Sequence, residues 1–177
     1  MKQGLTYTRK KNYGYSLKNT KYCFTVPANR GKNVSLMVAI NIAGVVAFEI
    51  KEGSYNGNSF VDFINNNLKT YFERNPKHIL VMDNCAFHNR RDVIELLTAL
   101  GILYQFLPPY SPQLNPIEEY FSSVKSNYTS IRSPSNNISE LEQNLTSVMS
   151  TTTTSFYGFF AHMRTWIDRG IARIEFY

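Results

Sequence analysis

Two acidic positions in this sequence carry chemistry by virtue of where they fall. Asp83 follows the run His78-Ile79-Leu80-Val81-Met82. It therefore stands at the C-terminal end of a buried strand, where α/β sheets place ligand-binding groups. Glu118 and Glu119 come after Pro108-Pro109-Tyr110-Ser111-Pro112 and Pro116, in the first turn of a helix whose start a stiff loop fixes. A carboxylate there is favoured by the helix dipole. Brought together, two such groups concentrate negative charge, which a hard cation neutralises, and carboxylate oxygens select Mg²⁺ or Mn²⁺ over softer metals. Taken singly, each has a plainer reading: Asp83 as a strand-end Asx turn or helix cap, Glu118 as a dipole complement. Close to Asp83, Cys85 and His88 read either as a thiol nucleophile pair or, with Cys85, as buried filling.

The elements that must position these groups are legible from periodicity. Residues 21–26 read as a short strand stopped by Pro27. The β-branched run Val34 to Ile42 and the returning Val45 to Ile50, reversed at Gly44, read as an antiparallel hairpin. Ser59 to Phe72 changes to helical period, with Phe60, Phe63, Ile64, Leu68 and Tyr71 on one face and Asn58 or Ser59 as the cap. Asn75-Pro76 ends that helix, and residues 78–82 make an interior strand. A helix over residues 89–100 closes at Gly101, and a strand follows over residues 102–107. The proline-rich loop leads to a helix from near Pro116 to about Tyr128. Ser139 and Glu142 form a capping box for a helix to about Ser150, and a last helix carries Phe156, Phe159, Phe160, Met163 and Trp166. The order is that of a mixed α/β domain with a helical tail. The expected organisation is a basic segment over residues 1–20, an α/β core over residues 21–131 and a helical extension over residues 132–177.

Composition limits the partners. The chain has 177 residues, 43% hydrophobic and 18% charged, enough to bury one core. It has no apolar run long enough to span a membrane and no signal-peptide pattern. Two cysteines are too few for a disulfide framework, so a reducing, intracellular compartment is expected. The net charge of +6 is unevenly spread: residues 1–33 hold eight bases (Lys2, Arg9, Lys10, Lys11, Lys18, Lys21, Arg30, Lys32) and no acid. Tyr7, Tyr13, Tyr15 and Tyr22 interleave with them. Such a stripe neutralises phosphates and offers rings for stacking, which suits nucleic acid; the plainer reading is a solvated terminus. Arg9, Lys10, Lys11, Lys18, Lys21, Arg30 and Lys32 are the candidate DNA contacts.

The segment Asp83-Asn84-Cys85-Ala86-Phe87-His88, together with Leu-Pro-Pro-Tyr-Ser-Pro-Gln-Leu-Asn-Pro-Ile-Glu-Glu-Tyr-Phe over residues 107–121, resembles the catalytic core of mariner-like DDE transposases and their bacterial insertion-sequence relatives. In that family 34 residues separate the second catalytic Asp from the third acidic residue, and 34 residues lie between Asp83 and Glu118 here. Tyr13-Gly14-Tyr15-Ser16 and the hairpin also look like the family's upstream region, so the resemblance runs from about Arg9 to Tyr128. It implies a ribonuclease-H-like mixed sheet flanked by helices. It also implies three carboxylates holding two Mg²⁺ or Mn²⁺ ions, for in-line displacement at a DNA phosphodiester. Asp83 matches the second acid and Glu118 the third, as catalytic residues and metal ligands. Glu119, about 100° further round the helix, ranks second. Asn84 and His88 match positions of lesser role, His88 ordering the loop or meeting DNA backbone. DNA, as transposon ends and target, is the implied partner, with a homodimer allowed. The implied location in a eukaryote is the nucleus.

One departure stands out. The family's first catalytic Asp lies shortly upstream of the Arg-x-x-x-Tyr-Gly region, and this sequence has no Asp before Asp62. A missing first strand and lost activity are the resulting expectations, with the chain reading as a fragment: a truncated gene copy, a mispredicted start or one exon of a longer protein. The rival readings are a domesticated, non-catalytic nucleic-acid-binding module, a retroviral-type integrase core, and an interaction domain docking through its aromatic tail.

Overall fold

The computed structural model describes residues 3–6, 33–130, 138–151 and 156–172. The strand expected over residues 21–26 and the candidate DNA contacts from Arg9 to Lys32 lie outside them.

The longest strands come from the β-branched segments. β2 (Asn33–Asn41) and β3 (Gly44–Glu52) pair antiparallel around a two-residue turn. The turn is held by the Asn41 side chain, whose Oδ1 accepts the Ala43 and Gly44 N–H groups at 2.8 and 3.0 Å. A strand the sequence pattern did not reveal, β1 (Gln3–Thr6), lies antiparallel along the first half of β2, from Gln3 opposite Leu36 to Thr6 opposite Asn33. Its four residues carry no alternation long enough to read, and the neighbouring edge supplies the pairing. A second sheet holds β4 (Ile79–Met82) and β5 (Leu103–Phe106) in parallel.

β2 is the central divider. Its Val34, Leu36 and Val38 face a core with α4 (Ile117–Ser130) and α5 (Ile138–Thr151), built on Tyr120, Phe121, Val124, Leu145 and Val148. Met37 faces the opposite core, shared with Phe60, Phe63, Leu68, Met82, Val93 and Leu97. Strand periodicity thus gives β2 two buried faces, which is why its sequence is a near-continuous apolar run. The aromatic residues Phe156 and Phe159 of α6 (Phe156–Ile171) pack partly buried against the first core.

The helix expected from Ser59 is capped earlier. Asn56 Oδ1 accepts the Ser59 N–H at 2.9 Å, so α1 runs Gly57–Phe63. A π-helical stretch, Ile64–Leu68, interrupts it before α2 (Lys69–Arg74). Five buried apolar residues from Phe60 to Phe72 must all meet one core, and the widened turn rotates Leu68 and Phe72 onto the same side. The helix expected over residues 89–100 is α3 (Arg91–Ala99), ended by Gly101 at φ 65°. Inside the proline-rich loop sits one 3₁₀ turn, Pro112–Leu114, where irregular backbone was expected. Its proline stands at the start of the turn, where its fixed φ is no obstacle. Tyr110, fully exposed at φ 56°, makes the bend before it.

Candidate active site

The strand β4 delivers Asp83 to the end of its sheet, and the backbone then turns sharply. Asp83 Oδ1 accepts the Cys85 N–H at 3.1 Å, an Asx turn, so the plainer reading of this residue is also present. The same oxygen accepts a hydrogen bond from His88 Nδ1 at 2.7 Å. His88 is 2% exposed and packs between the rings of Phe60 and Phe87, with centroids 4.5 and 4.3 Å away. His88 therefore orders the loop, and its ring is held by apolar neighbours that permit little rotation. The His88 hydrogen bond holds the Asp83 carboxyl down to about 2, against a smaller opposing effect of burial. At neutral pH Asp83 is ionised. Oδ1 is committed to His88 and Cys85, leaving Oδ2 as the oxygen able to meet a ligand.

Asn84 performs a different task. Its side-chain amide donates to the Leu107 carbonyl, and the Leu107 N–H donates to the Met82 carbonyl at 2.8 Å. These bonds tie the end of β4 to the end of β5, where the proline-rich loop begins. Cys85 is a free, half-buried thiol.

The loop brings α4 to the same place. Asp83 and His88 line one groove together with Leu114, Asn115, Pro116 and Ile117. Glu118 follows directly as the second residue of α4, its N–H donating to the Asn115 carbonyl at 3.1 Å. It is half-buried. Glu119 turns elsewhere: its carboxylate pairs with His162 Nδ1 of α6. Trp166 Nε1 donates to His162 Nε2 at 3.2 Å, which leaves Nδ1 as the protonated nitrogen facing Glu119. Arg169 lies over the Trp166 ring at 5.1 Å. His162 was not singled out in the sequence, and a pairing across 43 residues leaves no local signal.

The donor chemistry at Asp83 and in the first turn of α4 suits a hard cation in kind. It falls short in number, since no three His, Cys, Asp or Glu side chains gather in metal-binding proximity among the described residues. Asp62 is exposed on α1.

Residues 3–142 match the profile of the DDE superfamily endonuclease family, well over half of the chain. The chain belongs to that family. Its fold is similar to that of Mos1 mariner transposase in a paired-end complex with Mn, at 19% identity and a TM-score of 0.75 over all of this chain. That match spans 55% of the Mos1 chain, so this chain covers about half the length of that relative. The isolated catalytic domain of Mos1 mariner transposase is similar at 20% identity and a TM-score of 0.65, over 89% of this chain and 80% of that one. A Mos1 catalytic-domain structure with raltegravir and Mg is similar at the same identity and TM-score, over 83% of this chain and 78% of that one. No curated protein matches the sequence. The expected ribonuclease-H-like α/β fold with a helical C-terminal region is thus the fold found.

Proposed function

We propose that this chain carries the strand-cleaving and strand-joining core of a DNA transposase. In this reading Asp83 and Glu118 converge as ligands of Mg²⁺ or Mn²⁺. The observation that supports it most is the placement of the locked, ionised Asp83 and the loop leading into Glu118 on one groove of a DDE-family chain. Bound metal ions would activate an attacking hydroxyl or water and stabilise the departing oxygen at phosphorus. The chain's own residues do the positioning: His88 and the Cys85 N–H fix Asp83, Asn84 braces the two strand ends, and Glu119 is spent on α6.

These 177 residues contain no acid before Glu49. With two carboxylates in place of three, they bind Mg²⁺ weakly and do not nick DNA by themselves. A strand-nicking assay with Mg²⁺ or Mn²⁺ tests this: no product is expected, and turnover abolished by Asp83→Ala would overturn it. A second reading, a non-catalytic nucleic-acid-binding module, draws on the eight bases and no acid of residues 1–33. Steep salt dependence of DNA affinity, lost on neutralising Arg9, Lys10 and Lys11, would favour it. Either function would be exercised where the DNA is, in the nucleus of a eukaryotic cell.

A further inference from the structure

α6 is rich in rings that the cores use little. Five of its sixteen residues are Phe, Tyr or Trp, yet none of its residues is buried. Phe156 packs against Tyr120 of α4, with ring centroids 5.3 Å apart. Six residues later His162 meets Glu119 in the first turn of α4. Phe160 and Met163 line the groove that holds Asp83. α6 is thereby laid beside the helix start that carries Glu118, and its last turns run on past that contact to Ile171, which is 75% exposed.

The side chains on those last turns form a stripe. His162, Trp166 and Arg169 are spaced four and three residues apart, so they share one helix face. The bond from Trp166 Nε1 to His162 Nε2 holds the indole by its polar edge, and His162 is itself held by Glu119. The Arg169 guanidinium lies over the indole, 5.1 Å from the ring centre. Arg164 is paired with Asp168, whereas Arg169 is exposed and meets no carboxylate among the described residues. A ring placed for packing alone would be covered. This one is half-exposed, fixed in orientation and topped by a cation whose charge is not neutralised.

We infer that the His162–Trp166–Arg169 stripe is a stacking site for an unpaired nucleobase of a DNA strand whose backbone continues to the Asp83 groove. The inference rests on the reading of the chain as a DNA-processing core. The indole and guanidinium planes receive the base, and the N–H groups of Arg169 receive the adjoining phosphate. That cation selects an anionic strand over a neutral apolar peptide. Bases inside a duplex have both faces covered by their neighbours, so only an unpaired or terminal nucleotide fits. Stacking of this kind reads no sequence. The Glu119–His162 clasp sets the stripe at a fixed place relative to Glu118, which makes it a rest for a strand end near the groove.

Trp166 is the only tryptophan of the chain, so its emission reports on this site alone. The test titrates the 177-residue chain with a fluorescein-labelled single strand of about eight thymidylates, reading tryptophan quenching and label anisotropy together. Saturable quenching is expected. An abasic strand of the same length should quench with at least about fivefold weaker affinity, and Arg169→Ala should weaken quenching by the thymidylate strand about threefold. Trp166→Leu should lower the anisotropy-derived affinity at least about fivefold and Trp166→Phe less, with circular dichroism confirming both folds. Equal quenching by the abasic strand would overturn the inference, because phosphate alone would then suffice. Binding by anisotropy with unchanged Trp166 emission would also overturn it and leave the DNA-processing reading standing. No binding at all would remove both. Emission that changes with protein concentration alone would assign the stripe to a second copy, against the inference.

Discussion

The molecule holds two carboxylate–histidine pairs of the same chemistry in opposite settings. Asp83–His88 has a histidine 2% exposed between two phenylalanines, while Glu119–His162 has side chains 40% and 56% exposed. Burial changes what the pair does. In the first, the histidine is held in a dry site while the Asp83 side chain is 27% exposed on the groove, so the buried ring enforces the geometry of Asp83. In the second, water competes for both groups and the pair serves as a clasp between α4 and α6. A carboxylate meant to hold a ligand gains from the first setting, and one meant only to hold a helix can use the second.

The sharpest way to break this contrast is to remove the two histidines in turn. His88→Ala should destabilise the fold by about 3 kcal/mol, chiefly through the cavity that the buried ring leaves beside Phe60 and Phe87. Equilibrium urea unfolding reads this directly, and a loss well under 1 kcal/mol would place the two pairs in one class. The acid limb of the stability curve is the next test. The Asp83 carboxyl lies near 2 in the folded chain, below its ordinary value of 3.8, so its contribution is present above about pH 4 and fades as pH falls through 2. Asp83→Asn should therefore lower stability at neutral pH by about 1–2 kcal/mol and flatten the loss between pH 4 and 2. An unchanged acid limb would contradict the hydrogen-bond assignment. His162→Ala should cost no more than about 0.5 kcal/mol, shrinking further in high salt.

The smallest effect concerns a hydroxyl. Tyr120 is fully buried, its Oη has no hydrogen-bond partner among the described residues, and burial pushes its phenol up to about 12. Tyr120→Phe should leave stability unchanged or raise it by up to about 1 kcal/mol, because an unsatisfied polar atom is removed from the core. A clear loss by thermal unfolding would reveal a partner for that hydroxyl.

Much of this architecture was legible in advance because its signals are local. The Val34–Ile42 run, the change to helical period after Ser59, and the strand ending at Asp83 all announce themselves through spacing within a dozen residues. So does the Asx turn at Asp83, since an Asp two residues before an N–H can accept from it; the bond from His88 to the same oxygen was not read from the sequence. What escaped was set by tertiary demand. The π-helical stretch at Ile64–Leu68 exists because several large side chains share one core, and β1 exists because β2 offers an edge. The Glu119–His162 clasp depends on how α6 lies across α4, which no residue near Glu119 encodes. The proposed grip of Asp83 and Glu118 on one ion likewise rests on the path of the proline-rich loop.

Manganese broadening in amide NMR spectra tests that grip most directly. Titrating Mn²⁺ should bleach the amides around Asp83 and those around Glu118 together, at metal concentrations reflecting weak binding, and Asp83→Ala should abolish both effects. Bleaching of one segment without the other, or bleaching that survives Asp83→Ala, would contradict a shared metal site.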